Sequence, residues 1–122
     1  MSVISGENIT LNALDIFNIQ SGIVIRNITA SSNDTLDTAN NFAQLYMGGF
    51  DPANDGSSFS FIIYNTNATN SITLFPGTGM TINPLNSLAN DTIPPNHSRR
   101  YHFVQTSAVM GVSAEIAIYP LT

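Results

Sequence analysis

The sequence predicts an all-β fold, an antiparallel β-sandwich or jelly roll with one short helix. Several short segments alternate apolar and polar residues with a period of two, which is typical of strands that bury one face. Glycine, proline and asparagine separate these segments at roughly ten-residue intervals, as in small sandwiches. Asn, Ser and Thr together supply 40 of the 122 residues. That composition favours pleated surfaces and turns over a helical bundle.

The clearest segment covers residues 57–82 and is predicted to be a β-hairpin followed by a glycine turn. The residues that share one face of its first strand are Phe59, Phe61 and Ile63. Turn formers fill residues 65–70, and the apolar alternation then resumes. Because proline cannot donate to a ladder and glycine accepts a positive φ angle, residues 76–79 are predicted to end the second strand.

Residues 22–28 are predicted to form a strand, with Ile23 and Ile25 on one side and Val24 and Arg26 on the other. The polar segment that follows predicts a turn-rich connection.

One helical pattern follows, over residues 36–46. Its apolar residues recur at helical spacing: Leu36, Ala39, Phe42, Ala43 and Tyr46. Asp34 or Thr35 is the expected N-cap, and the glycines at positions 48 and 49 are expected to end the helix.

Two further strands are predicted near the C-terminal end, over residues 98–106 and 112–119. Residues 83–94 are expected to form a loose connection. Residues 1–21 show no clean period, so we expect a short strand or an extended arm there. The sandwich domain is therefore predicted over residues 22–122.

Composition and charge exclude several classes of function. The net charge is −5 with three arginines, so the chain lacks the basic footprint that nucleic-acid binding requires. Cysteine and lysine are absent, which removes thiolate metal sites, thiol nucleophiles and Schiff-base chemistry. No apolar segment approaches the roughly 18 residues of a membrane span, so no membrane insertion is expected.

The sequence also predicts no enzyme, no cofactor and no metal site. His97 and His102 have opposite strand parity, which does not suit shared metal ligation. The acidic loop at residues 51–56 has Ala53 at a calcium-ligand position, so an ordinary turn is expected there. Residues 77–79 lack the third glycine and the following helix of a nucleotide loop, and no nucleophile elbow is present.

Several strands have apolar residues on both faces, although a two-layer sandwich buries only one face of each sheet. The second apolar set therefore needs another cover, which we expect to be a subunit interface around a cyclic axis. Scattered exposed apolar residues are the alternative. The residues expected at the interface are Ile62, Tyr64, Val104 and Tyr119.

Four segments carry a resemblance to a known family: DTLDTA at 34–39, FSFIIYN at 59–65, SITLFPGTG at 71–79 and PNHSRRYHF at 95–103. Over residues 22–119 the chain resembles the trimeric β-sandwich heads on virus fibres and spikes. These include capsid fibres of tailed phages and fibres of virophages that accompany giant viruses. The first 21 residues and the segment 83–94 depart from the family pattern. The resemblance implies a homotrimer on the virion surface, synthesised in the host cytoplasm and without catalytic residues.

The resemblance further implies attachment to a receptor on a host cell or a giant virus. Residues 1–21 would then connect the head to an upstream shaft. A glycan is the expected ligand, because amides and hydroxyls suit hydrogen bonding to sugar hydroxyls. The loop residues expected to meet the receptor are Asn54, Asp55, Asn65, Asn67, Asn70, Asn86 and Asn90. A capsid decoration protein without receptor binding and a cellular sugar-binding module are the alternatives.

Overall fold

A computed structural model describes residues 2–13, 22–46, 49–82 and 90–121 and contains two β-sheets packed around one core. The first is six-stranded, in the order β1 (Ser2–Ser5), β3 (Ile23–Asn27), β5 (Ser58–Asn65), β9 (Ser98–Val109), β10 (Ser113–Leu121) and β7 (Met80–Ile82). The second is four-stranded, in the order β2 (Thr10–Leu11), β4 (Ser32–Leu36), β6 (Ile72–Phe75) and β8 (Asp91–Ile93). A helix, α1 (Ala39–Tyr46), and a 3-10 turn (Pro52–Asn54) connect strands of the two sheets. The predicted all-β sandwich with one short helix is confirmed.

The strand directions differ from the antiparallel arrangement that we expected. From β1 to β6 the chain alternates between the two sheets, so that successive strands of each sheet run parallel. Antiparallel pairing joins β5 to β9, β9 to β10 and β6 to β8. The sandwich thus combines parallel and antiparallel strand pairs. Its first six strands wind around the core in three turns, each turn adding one strand to each sheet. A period of two assigns faces but carries no information on the direction of a neighbouring strand.

The prediction of a hairpin over residues 57–82 is wrong, because the two strands do not pair with each other. Both strands exist, but β5 lies in the six-stranded sheet and β6 in the four-stranded sheet. The turn formers between them make an arch from one sheet to the other. In the C-terminal part, β9 and β10 pair directly with each other, with a register shift between Glu115 and Ile116.

The boundary predicted at residue 21 does not separate the sandwich from an arm. β1 pairs with β3 and β2 pairs with β4, so Ser2–Ser5 and Thr10–Leu11 form edge strands of the two sheets. The expectation of a short strand in this region is confirmed for these residues, and positions 14–21 lie outside the described residues. β4 and β8 were not predicted, because polar Ser32, Asp34 and Asp91 occupy inward positions on them.

The helix starts later than predicted. Asp34 and Thr35 belong to β4 and cap nothing, while the Thr38 hydroxyl accepts a 3.2 Å hydrogen bond from the Asn41 N–H. The helix buries its apolar stripe against the core: Ala39, Phe42 and Ala43. In the core, the ring of Phe103 lies 5.2 Å from that of Phe42, centroid to centroid. Aromatic contact of this kind fixes α1 on the six-stranded sheet.

Candidate functional site

The four residues expected at a subunit interface lie on one face of the six-stranded sheet. Ile62 and Tyr64 belong to β5, Val104 to β9 and Tyr119 to β10. Their neighbours along each strand point into the core. We call the face directed away from the four-stranded sheet the outer face. The structure therefore brings all four residues onto a single surface.

The outer face contains further apolar residues besides the four that were predicted for the interface. Ile23 is in register with Ile62, and Ile25 with Tyr64. Alternation already placed Ile23 and Ile25 on one side of their strand, but only the order of the strands shows which surface they share. The apolar residues added by the structure are Val3, Ile23, Ile25, Ala117 and Leu121.

The described part of the chain covers this face only in part. Tyr64, Leu121 and Val3 keep 38%, 44% and 61% of their surface exposed, whereas Ile63 and Phe103 on the inner face keep none. Ile62, Val104 and Tyr119 are half-buried. An apolar face of this extent is typical of an interaction surface.

Two grooves cross the outer face, and each contains one charged side chain. The Arg100 groove has a volume of about 260 Å³ and is lined by Ile62, Ser98, Arg100 and Leu121. The Glu115 groove, of about 540 Å³, lies beside β7. The residues that line it are Gly79, Met80, Thr81, Thr106, Glu115, Ile116, Ala117 and Tyr119.

Arg100 differs from the other two arginines in its partners. Arg26 forms a buried ion pair with Asp34, and the Arg99 guanidinium donates to both carboxylate oxygens of Asp91. Arg99 and Arg100 point to opposite faces, as alternation predicts. Within the described residues Arg100 makes no ion pair and no side-chain hydrogen bond, and it is exposed.

The predicted receptor loop at residues 65–70 is largely a structural arch. Asn65 is fully buried, and its Nδ2 donates to the carbonyls of Asn70 (2.8 Å), Ile93 (3.2 Å) and Pro94 (3.2 Å). Asn65 cannot reach a ligand at the surface, so its assignment as a receptor contact is wrong. The Asn67 carboxamide accepts from the Asn70 N–H and donates to the Ile28 carbonyl.

The other loop candidates lie away from this arch. Asn54 is half-buried and Asp55 exposed, in the loop that precedes β5. An eight-residue strand separates that loop from Asn67 and Asn70, a distance of about 25 Å. The two groups therefore cannot form one binding site in a single chain. Asn90 is half-buried just before β8, and Asn86 lies outside the described residues.

Two carboxylates support loops through hydrogen bonds. Glu7 accepts from the Thr29 backbone N–H at 2.6 Å, from the Thr29 hydroxyl and from the Ala30 N–H, and these bonds lower the pKa of Glu7. Partial burial raises the pKa of Asp37, but hydrogen bonds from Ala13, Thr38 and Asn41 outweigh that effect and lower it overall. Both carboxylates hold neighbouring backbone in place.

The two histidines lie apart. The Nδ1 atom of His97 is 2.7 Å from the Pro95 carbonyl oxygen in an exposed turn, and His102 is half-buried on the outer face. Among the described residues no group of three His, Cys, Asp or Glu side chains is placed to hold a metal ion. No helix in the described ranges has the length and apolar character that crossing a bilayer requires.

No family model matches the chain, and no curated protein or solved structure is significantly similar to it.

Proposed function

We propose that the chain is the head domain of a homotrimeric virion fibre or spike and mediates attachment to a host or giant-virus surface. The partly exposed apolar outer face is the observation that carries the proposal. Ile62, Tyr64, Val104 and Tyr119 lie together on this face, where a neighbouring copy would bury them. The sequence resemblance over residues 22–119 supplies the virion context.

Receptor binding would be multivalent. Three copies around an axis present each loop three times, and effective concentration then strengthens three weak contacts. Loops on a rigid sandwich are suitable positions for such contacts. The remaining loop candidates in the described residues are Asn54 with Asp55, Asn67 with Asn70, and Asn90 just before β8.

The first experiment measures oligomeric state by light scattering and sedimentation at micromolar concentration. We expect a trimer, and we expect Ile62→Glu to be a folded monomer, because the charge cannot be buried in an apolar interface. Thr92→Glu is the matched control, since Thr92 is an exposed β-branched residue of β8 in the other sheet. A wild-type chain that stays monomeric would remove the fibre-head proposal.

The second experiment tests attachment with a glycan array and a pull-down on purified virions. Binding to a defined class of glycan supports attachment if it is lost when Asn54 and Asp55, or Asn67 and Asn70, are replaced by alanine in variants that keep the wild-type circular dichroism and melting temperature. Tight binding to purified capsids without glycan binding would instead indicate a capsid decoration protein. Glycan binding by a stable monomer would indicate a free-standing sugar-binding module.

A further inference from the structure

The outer face contains one described arginine and one described carboxylate, and they are far apart. Arg100 is in register with Leu121, which lies six residues from Glu115 along β10. At the rise of a β-strand this separation is about 20 Å. The two side chains therefore cannot pair within one chain. Over that distance salt at physiological strength also screens their attraction, because the Debye length is only about 8 Å.

Each charge has unused hydrogen-bonding capacity. Arg100 has no hydrogen-bond acceptor within the described residues, although a guanidinium has five N–H donors in a planar fork. Oε2 of Glu115 accepts from the Ser107 hydroxyl at 3.2 Å, and within the described ranges Oε1 accepts no hydrogen bond. A carboxylate with a free oxygen is a suitable acceptor for a guanidinium.

We propose that Arg100 of one copy enters the Glu115 groove of the next copy and pairs there with its carboxylate. The proposal deepens the trimer of the preceding subsection and rests on it. If the outer face is buried between copies, both charges leave water, and an unpaired buried charge is strongly unfavourable. Pairing across the interface offsets part of that cost, because the groove supplies the acceptor and is large enough for the side chain, at about 540 Å³.

A cyclic assembly suits this arrangement. Around a closed axis of three copies each interface joins two different patches of the same chain, and the Arg100 groove and the Glu115 groove are two such patches with opposite charges. A ring of three copies would contain three equivalent pairs and leave no Arg100 or Glu115 unused. The hydroxyl of Thr106, which lines the Glu115 groove, would be a further acceptor for the guanidinium.

A charge swap tests the pairing. Arg100→Glu and Glu115→Arg are each expected to weaken self-association by about tenfold or more, measured as the dissociation constant in sedimentation experiments. The double variant is expected to recover association to within about threefold, because the pair is restored with its charges exchanged. Arg100→Glu combined with Thr92→Arg also adds one arginine, but at an exposed position of β8 in the other sheet, and it should not recover.

The outcomes distinguish the pairing from the assembly itself. A wild-type trimer whose double variant stays as weak as the single variants would overturn the pairing and leave the trimer standing. Recovery by the Thr92→Arg combination would also overturn it, since an added positive charge at any position would then explain the effect. A monomeric wild-type chain would overturn both proposals. Circular dichroism on every variant separates loss of association from loss of folding.

Discussion

Nε of Arg26 donates to Oδ2 of Asp34 over 2.6 Å, and both side chains are fully buried between the two sheets. The other guanidinium nitrogens of Arg26 donate to the carbonyls of Ile4 and Gly6, each at 2.6 Å. One side chain thus joins β3, β4 and the backbone at the end of β1. A buried arginine is tolerated here because its charge is paired and its donors are used.

We expect Arg26→Met to destabilise the domain by about 3–5 kcal/mol, because it leaves the Asp34 carboxylate buried without its cation. Denaturant unfolding measures the effect. Arg99→Met is the control: the Arg99 side chain is 30% exposed, and Asp91 keeps the hydrogen bond from the Tyr101 hydroxyl. Its cost should be smaller. Equal costs for the two variants would contradict the special role of the buried pair.

Phe61→Asp is expected to prevent folding. Phe61 is only 3% exposed, and its ring lies 5.3 Å from that of Phe103, centroid to centroid. A carboxylate at this position has no described partner and would cost several kcal/mol. Circular dichroism and thermal melting check the result, with Phe61→Leu as the control that keeps an apolar side chain. A folded, cooperative Phe61→Asp domain would show that the assignment of faces on β5 is wrong.

Asn65→Asp is expected to destabilise the domain by about 1–3 kcal/mol, because it replaces a buried amide donor by an acceptor that faces three carbonyl oxygens. The same chemical change at Asn27, an exposed residue of β3, is the control and should cost under about 0.5 kcal/mol. Chemical unfolding of both variants provides the comparison. Equal stabilities would mean that the arch does not depend on the Asn65 amide.

Gly77→Ala should be strongly destabilising although Gly77 does not need a positive φ angle. A Cβ atom at this position would overlap the carbonyl oxygens of Leu36 and Asp37, which are backbone atoms and cannot move aside cheaply. Gly111→Asn is the control, because nothing lies within 4 Å of a Cβ there and asparagine tolerates its φ of +69°. The melting temperature of Gly77→Ala should lie far below that of Gly111→Asn. Similar melting temperatures would show that the two segments can separate.

Alkaline pH should weaken the fold in part through Tyr46. Burial raises the pKa of Tyr46 from 10.0 to about 12, so the folded state favours the neutral phenol. This contribution to stability is complete below pH 10.0 and is lost as the pH rises through about 12. Unfolding free energies measured across this range for wild type and Tyr46→Phe provide the test. The unfolding free energy of Tyr46→Phe should fall less steeply with pH than that of the wild type. Identical pH profiles would contradict a raised pKa of Tyr46 in the folded state.

The sequence was sufficient to predict elements whose inward side chains are apolar. β5, β9 and β10 each bury alternate apolar residues, and α1 buries a stripe at helical spacing. The period of the apolar residues within such a segment is the main signal for its secondary structure. The opposite directions of Arg99 and Arg100 followed from the same rule.

Elements with polar inward residues could not be predicted in this way. Asp34 and Asp91 are buried on β4 and β8 because Arg26 and Arg99 reach them from the other sheet. Each arginine lies only eight residues from its aspartate, but on a strand of the other sheet, and a period of two within one strand does not reveal a partner across the core. Asn65 likewise appears as a turn former in the sequence, although carbonyls of a later segment bind its amide.

The late position of β9 in the sequence has a consequence for synthesis. β5 pairs with β3 on one side and with β9 on the other, and β9 also joins β10 to the sheet. In a nascent chain, strands β1 to β6 can therefore assemble while translation continues. Until residues 98–109 leave the ribosome, however, one edge of β5 has no partner strand. Interrupted or slowed translation before this point should yield an aggregation-prone fragment.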